Sequence, residues 1–231
     1  MSKIYCDSAD LNVIKKCIGK FNAHGVTTNP SIMRSDGVKN YKSHCLKILK
    51  ITQKRPLSVE VFADKPNEIL NQAMKISSWS KKLFVKVPIV NTKGLSLTKV
   101  IKKLNSRGIK INITAVFTLS QIKKIKNSIN KKTPVIISIF CGRIADNGTN
   151  PEIIVKKTVK MFRNFKNVQI LWASTREVYN FFQAKNCGCH IITMSPKFIE
   201  KLKTKKISLN KFSVNTVKTF FEDGKKSRFK I

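Results

Sequence analysis

Lys86 stands inside Phe84-Val85-Lys86-Val87-Pro88, an apolar run of the length and composition of a buried strand. The chain carries 46 Lys and Arg, only seven of them Arg, and nearly all the other lysines fall in polar helical or loop stretches. A lysine is almost never fully buried without a reason. Burial disfavours a charged ammonium and favours the neutral, nucleophilic amine. The chemistry such an amine does best is attack on a carbonyl to form a Schiff base. The competing reading is an edge lysine whose head snorkels to water.

Elements able to position this lysine recur along the whole chain. Runs rich in Val, Ile and Phe predict strands over 3–7, 25–28, 57–62, 83–88, 110–114, 134–140, 168–174 and 190–194. Each is followed by helical spacing, as in Leu11, Ile14 and Ile18, or Ile69, Ala73 and Ile76. Eight βα units predict an α/β fold, a (β/α)8 TIM barrel, with an extra helix over 212–223. The 231 residues fit one such catalytic domain, 1–231, without room for a second. A doubly wound open sheet usually shows a Gly-rich turn after its first strand, and Asp7-Ser8-Ala9-Asp10 is not one.

In a barrel, alternate strand residues face inward and chemistry gathers at the C-terminal strand ends. Period two puts Tyr5 with Asp7, Ser58 with Glu60 and Phe62, and Phe84 with Lys86. Asp7, Glu60 and Lys86 are thereby expected to meet in one mouth. The plainer alternative is that Asp7 caps the first helix and Glu60 merely neutralises Lys86. Arg143 and Arg176 each stand at the top of a predicted strand, and a guanidinium fork suits phosphate oxygens. With Ser174 they make a candidate phosphate clamp; surface ion pairing is the alternative, which only 12 acidic residues disfavour. Asn29 and Asn112 read equally as turn residues.

The net charge of +34 is consistent with binding nucleic acid or drawing in phosphorylated sugars. Against nucleic acid, the excess is Lys spread along every helix, as at Lys81-Lys82, Lys102-Lys103, Lys131-Lys132 and Lys205-Lys206, with no interleaved aromatics. A/T-rich codon usage accounts for Lys, Asn and Ile together. The six cysteines (Cys6, Cys17, Cys45, Cys141, Cys187, Cys189) lack zinc-site spacing, apart from a weak Cys187-Gly188-Cys189-His190 cluster, and read as core residues of a reducing compartment. A strand at the start and no long apolar run predict a cytoplasmic chain with no signal peptide and no membrane span.

A resemblance joins these pieces. Asp7-Ser8-Ala9-Asp10, Gly25-Val26-Thr27-Thr28-Asn29-Pro30-Ser31-Ile32, Val59-Glu60-Val61 and Val85-Lys86-Val87-Pro88 resemble the transaldolase and fructose-6-phosphate aldolase family. The likeness runs on through Asn112-Ile113-Thr114-Ala115-Val116-Phe117, Phe140-Cys141-Gly142-Arg143-Ile144, Ala173-Ser174-Thr175-Arg176 and the closing Thr216–Asp223 stretch. It implies a class I aldolase without metal or other cofactor. Lys86 would form the imine, Asp7 would move the C4 hydroxyl proton, and Glu60 with Thr114 would hold a water that shuttles protons. Thr27, Asn29 and Asn112 would bind sugar hydroxyls, and Arg143, Ser174 and Arg176 the phosphate. Ser138 and Phe140 match positions that line the pocket.

Fructose-6-phosphate aldolases carry Gln where Glu60 stands and Tyr where Phe140 stands, so the resemblance favours transaldolase: transfer to an aldose phosphate, not release of dihydroxyacetone. The chain departs from the small members in a longer 89–94 loop with Lys93 in place of Glu, and in Ser138-Ile139-Phe140 on strand six; both are expected to flank the pocket. The resemblance also implies a homo-oligomer with the closing helix on a neighbouring subunit. The lyase remains the alternative activity, and a nucleic-acid-binding protein on an inactive barrel is the alternative of another class.

Overall fold

Strands with apolar residues on both faces cannot remain at a solvent-exposed sheet edge, and here they close on one another. In the computed structural model, which describes residues 2–204 and 206–228, the chain opens with β1 (Lys3–Asp7), α1 (Leu11–Gly19), β2 (Gly25–Thr27), α2 (Pro30–Ser35) and α3 (Tyr41–Thr52). β3 (Leu57–Glu60), α4 (Pro66–Ser77), β4 (Leu83–Pro88), α5 (Thr98–Ser106), β5 (Ile111–Val116) and α6 (Leu119–Lys126) follow. Next come β6 (Val135–Ile139), α7 (Cys141–Asp146), α8 (Pro151–Met161) and β7 (Val168–Trp172). The last elements are α9 (Asn180–Asn186), β8 (Ile191–Met194), α10 (Pro196–Lys203) and α11 (Leu209–Ser227). The eight strands form a closed parallel barrel in chain order, with β8 paired back onto β1. The fold is therefore a (β/α)8 TIM barrel with an extra C-terminal helix. Lys205 and residues 229–231 of the basic tail lie outside the described residues.

Alternation within each strand divides the core in two. Tyr5, Ile136, Leu171, Ala173 and Ile191 fill the barrel interior with Phe84 and Phe140 against them. The opposite strand faces bury Val26, Val59, Val85, Ile113, Ile137 and Ile170 beneath the helices. Gly25 is required by this interior, because a Cβ there would lie 2.7 Å from the Tyr5 ring. The helices start where side chains satisfy free backbone donors: Asp10 caps α1, Asn40 caps α3, and Thr118 with Gln121 forms a capping box on α6. Proline opens α2, α4, α8 and α10, where its missing N–H has no partner to lose.

Two irregularities shape the C-terminal rim. Register slips between Ile113 and Val116 of β5, where Ala115 takes a left-handed φ of 54°. After β7, Ser174 also turns left-handed, at φ 62°, and its carbonyl presses on Gly142 of α7. A Cβ at Gly142 would fall 1.6 Å from that oxygen, so only glycine lets α7 dock on the turn that carries Ser174.

Phe62 departs from the pattern predicted for it. β3 ends at Glu60, and Phe62 is 63% exposed, packed edge-on against Tyr41 instead of facing inward. The backbone turns away after Glu60, and Gln72 takes the N–H groups of Phe62 and Ala63. No helix among the described residues is long and apolar enough to cross a membrane.

The Gly142 contact gives a test of how the rim is held. Gly142→Ala should lower unfolding free energy in urea by about 3 kcal/mol, as overpacking against backbone does. Gly148→Ala, strained only by its φ of 74° with open space around it, should lose about 1 kcal/mol. Equal losses at the two positions would mean that the Gly142 contact does not constrain the rim.

Candidate active site

The C-terminal strand ends surround a cavity of about 310 Å³. Lys86, 6% exposed, is the only buried charged residue among the described residues. Its Nζ lies 2.8 Å from Glu60 Oε2 and donates to the Thr28 carbonyl at 2.7 Å. These contacts offset the desolvation that burial imposes on an ammonium. Parallel pairing of β3 with β4 sets Glu60 directly opposite Lys86, and the Tyr41 hydroxyl donates to the Glu60 carbonyl at 2.7 Å. Burial alone is thus an incomplete account of this amine's surroundings. A carboxylate stands close enough both to hold its proton and to receive it.

Asp7 ends β1 beside Thr27 of β2, whose Oγ1 donates to Asp7 Oδ1 at 2.6 Å. Burial pushes the Asp7 carboxyl above its ordinary range; the Lys86 cation and the Thr27 hydroxyl oppose this, and Glu60 adds repulsion. Asp7 does not cap α1: the cap is Asp10, whose Oδ1 accepts from the N–H groups of Asn12 and Val13 at 2.8 and 2.9 Å. The capping alternative for Asp7 therefore falls.

Asn112 is fully buried and locked by a string across three strands. Its Nδ2 donates to Ser58 Oγ at 3.1 Å, and Ser138 Oγ donates to its Oδ1 at 2.6 Å. Thr114 Oγ1, also buried, has no hydrogen-bond partner among the described residues. An unmade hydroxyl bond of this kind costs about 1–3 kcal/mol, and such groups call for a functional account. Asn29 serves twice: its Oδ1 caps α2 through the Ile32 N–H at 2.9 Å, and the residue also lines the cavity.

Arg143, Ser174 and Arg176 meet on one side of the cavity. The Arg143 guanidinium lies 5.7 Å from the Phe140 ring centroid, and Phe117 supports that ring from 5.7 Å. Arg176 does make the surface ion pair that the scarcity of acids disfavours: its Nε donates to Asp146 at 3.0 and 3.1 Å. Arg176 and, less closely, Arg143 hold the Asp146 carboxyl below its ordinary range. The scarcity of acids does not prevent pairing, because α7 and the turn after β7 bring these two residues together.

Of the twelve residues singled out in the sequence, the cavity is lined by all but Glu60, which meets it through Lys86. The 89–94 loop, expected to flank the pocket, does not line the cavity itself. Asp64 ties that loop down through the Thr92 N–H and hydroxyl, both at 2.8 Å, and Pro88, Asn91 and Thr92 line a separate hollow. Thr193 of β8 lines the cavity without having been singled out. Its signal was a lone hydroxyl within Ile191-Ile192-Thr193-Met194, in phase with the inward Ile191. All six cysteines are buried and free.

The chain is similar to proteins of known family and to solved structures of the same fold. A "Probable transaldolase" of Herpetosiphon aurantiacus is 32% identical over 201 residues, covering 87% of this chain and 86% of that one. A "Probable transaldolase" of Streptococcus agalactiae is 31% identical over 204 residues, covering 87% and 90%. Among solved structures, 2,3-dimethylmalate lyase superposes with a TM-score of 0.58 over 99% of this chain and 84% of that one, at 9% identity. A truncated 3-deoxy-D-arabino-heptulosonate 7-phosphate synthase from Thermotoga maritima gives 0.55 over 87% and 85%, at 11% identity. At such identities these structures share the fold alone. The sequence model of the Transaldolase/Fructose-6-phosphate aldolase family matches residues 4–230, and the chain belongs to that family.

Proposed function

We propose that the protein is a transaldolase, moving a dihydroxyacetone unit from fructose 6-phosphate or sedoheptulose 7-phosphate to an aldose phosphate. The observation that carries this reading is the buried Lys86–Glu60 pair sharing a barrel mouth with Asp7. Glu60 takes a proton from Lys86, and the free amine adds to the C2 carbonyl of the ketose. Loss of water gives a protonated imine. Asp7 removes the C4 hydroxyl proton, the C3–C4 bond breaks, and its electrons enter the iminium to leave an enamine on Lys86. The aldehyde departs. The enamine then attacks an acceptor aldehyde, Asp7 returns its proton to the new alkoxide, and water releases the product. Glu60 and the unpartnered Thr114 hydroxyl position that water. The iminium is the electron sink, so this route calls on no cofactor.

Thr27, Asn29 and Asn112 face the sugar hydroxyls in this reading, with Ser138 fixing the Asn112 amide. Arg143, Arg176 and Ser174 receive the phosphate, and Phe140 walls the site. Glu60 and Phe140 together favour transfer over lysis. A cytoplasmic setting accords with six free cysteines. We also place a neighbouring copy against α11, which buries none of its own residues and exposes Leu209, Phe212, Val217, Phe220 and Phe221. Large apolar residues exposed together along one helix are the kind of surface that marks an association site.

Borohydride reduction in the presence of fructose 6-phosphate should leave a dihydroxyacetone-sized adduct on Lys86, seen by peptide mass spectrometry and absent in Lys86→Ala. Coupled assays with an acceptor then separate transfer from release. Failure of several ketose phosphates to label the protein would sink the reading.

Asp7→Asn should lower kcat/KM by about 10²–10⁴-fold, the usual worth of a proton transfer. Its Tm at neutral pH should nonetheless equal or exceed that of the native protein. A carboxyl raised on folding stabilises while protonated and loses that contribution as pH rises through its folded titration range. The variant's advantage should therefore vanish in acid; a Tm deficit across the whole pH range would contradict the assigned environment.

Light scattering should report an oligomer, and Phe220→Ser with Phe221→Ser should reduce its size. A monomeric native protein would refute the placement of α11.

A further inference from the structure

We propose that Thr193 is a positioning residue for Asp7, acting through Thr27 as the terminal donor of a directed hydrogen-bond string. The inference rests on the assignment of Asp7 as the base of the reaction proposed above. Thr27 Oγ1 lies 2.6 Å from Asp7 Oδ1 and 2.5 Å from Thr193 Oγ1. A hydroxyl has one proton to give. While Asp7 is ionised it can only accept, so Thr27 gives its proton to Asp7 and must accept from Thr193. The string then runs one way, from β8 through β2 to β1, with both contacts short. Each polarised link strengthens the next in a buried site.

Protonation of Asp7 weakens or reverses that direction, depending on which oxygen carries the proton. A carboxyl protonated on Oδ2 leaves Oδ1 a neutral, weaker acceptor for Thr27. One protonated on Oδ1 becomes a donor, so Thr27 turns its hydroxyl toward Thr193 and Thr193 must find another acceptor. The only one within reach among the described residues is the Tyr5 carbonyl, at 3.5 Å, longer than a good hydroxyl bond. The string is therefore well made for the proton-accepting form of Asp7 and poorly made for the proton-loaded form. It counters the burial that resists ionisation, and its reluctance to reverse favours return of the proton to substrate.

The other charged groups facing Asp7 are Lys86 on β4 and Glu60 on β3, which act in opposite directions on its charge. Cys6, the next residue back, faces the other side of β1 toward Cys17 of α1. None of these touches Thr193, so removing its hydroxyl isolates the string. Thr193 is 6% exposed, and valine preserves its branched shape.

The test uses the full chain labelled with carboxyl-13C aspartate. Only six aspartates contribute signals, and Asp7→Asn identifies the one from Asp7. In Thr193→Val the Asp7 signal should titrate at higher pH than in the native protein. The acid limb of kcat/KM should move with it, with about ten-fold loss below neutrality, little change in KM, and an intact borohydride adduct on Lys86. Thr193→Ser should restore both titration and rate. An unmoved Asp7 titration in Thr193→Val, or a serine variant as impaired as valine, would overturn the proposal. Absence of the Lys86 adduct in the native protein would instead count against the transaldolase reading, while the carboxyl titration would still decide whether the string acts on Asp7.

Discussion

The ion pair between Lys86 and Glu60 is the constraint around which the mouth of this barrel is built. Taking either charge out of water alone would cost several kcal/mol, and removal of one partner leaves the other uncompensated. The pair is affordable only because β3 and β4 hold Glu60 and Lys86 at the same level of the sheet. A slip of one residue in that register would turn one side chain to the opposite face and leave the other buried alone. Strand register is thus tied to charge balance as well as to packing. The Thr28 carbonyl holds Lys86 and the Tyr41 hydroxyl holds the Glu60 carbonyl, so the residue following β2 and the first residue of α3 contribute to the same restraint.

The two carboxylates differ because their partners differ. Glu60 receives a cation at 2.8 Å, while the direct hydrogen bond to Asp7 comes from the neutral Thr27 hydroxyl. For Asp7, desolvation outweighs the attraction of Lys86, and its carboxyl is raised. Separation of environments is what divides labour between acids in one site. It matches a mechanism in which one carboxylate manages the lysine and its water while the other exchanges a proton with the sugar.

Much of this is legible in the sequence because the relevant signals are local. Each strand is a short apolar run followed by helical spacing, and period two suffices to bring Asp7, Glu60 and Lys86 to one face. That rule fails at Phe62 because alternation holds only while the strand lasts, and β3 ends at Glu60. Thr193 escapes notice because its importance depends on a contact with Thr27 across 166 positions of chain. Asp146 escapes for the same reason: α7 and the turn after β7 meet only once Gly142 admits the Ser174 carbonyl. Local pattern identifies which side chains share a face; closure of the barrel decides which of them touch.

That last contact bears on how the proposed clamp would receive a phosphate. Asp146 offsets part of the positive charge of the Arg143–Arg176 pair and also orients Arg176, whose guanidinium would otherwise sample many rotamers. Arg143 makes no hydrogen bond among the described residues and rests over Phe140, leaving its donors available for phosphate oxygens. Ser174, in a left-handed turn, lines the same cavity as both arginines. The proposed clamp thus joins one restrained cation to one open cation, at the rim of a protein whose formal net charge of +34 attracts anions at long range. Long-range charge can gather phosphorylated sugars without distinguishing among them. In the proposed reaction, discrimination falls to the fixed groups of the mouth, and above all to whether a bound carbonyl reaches Lys86.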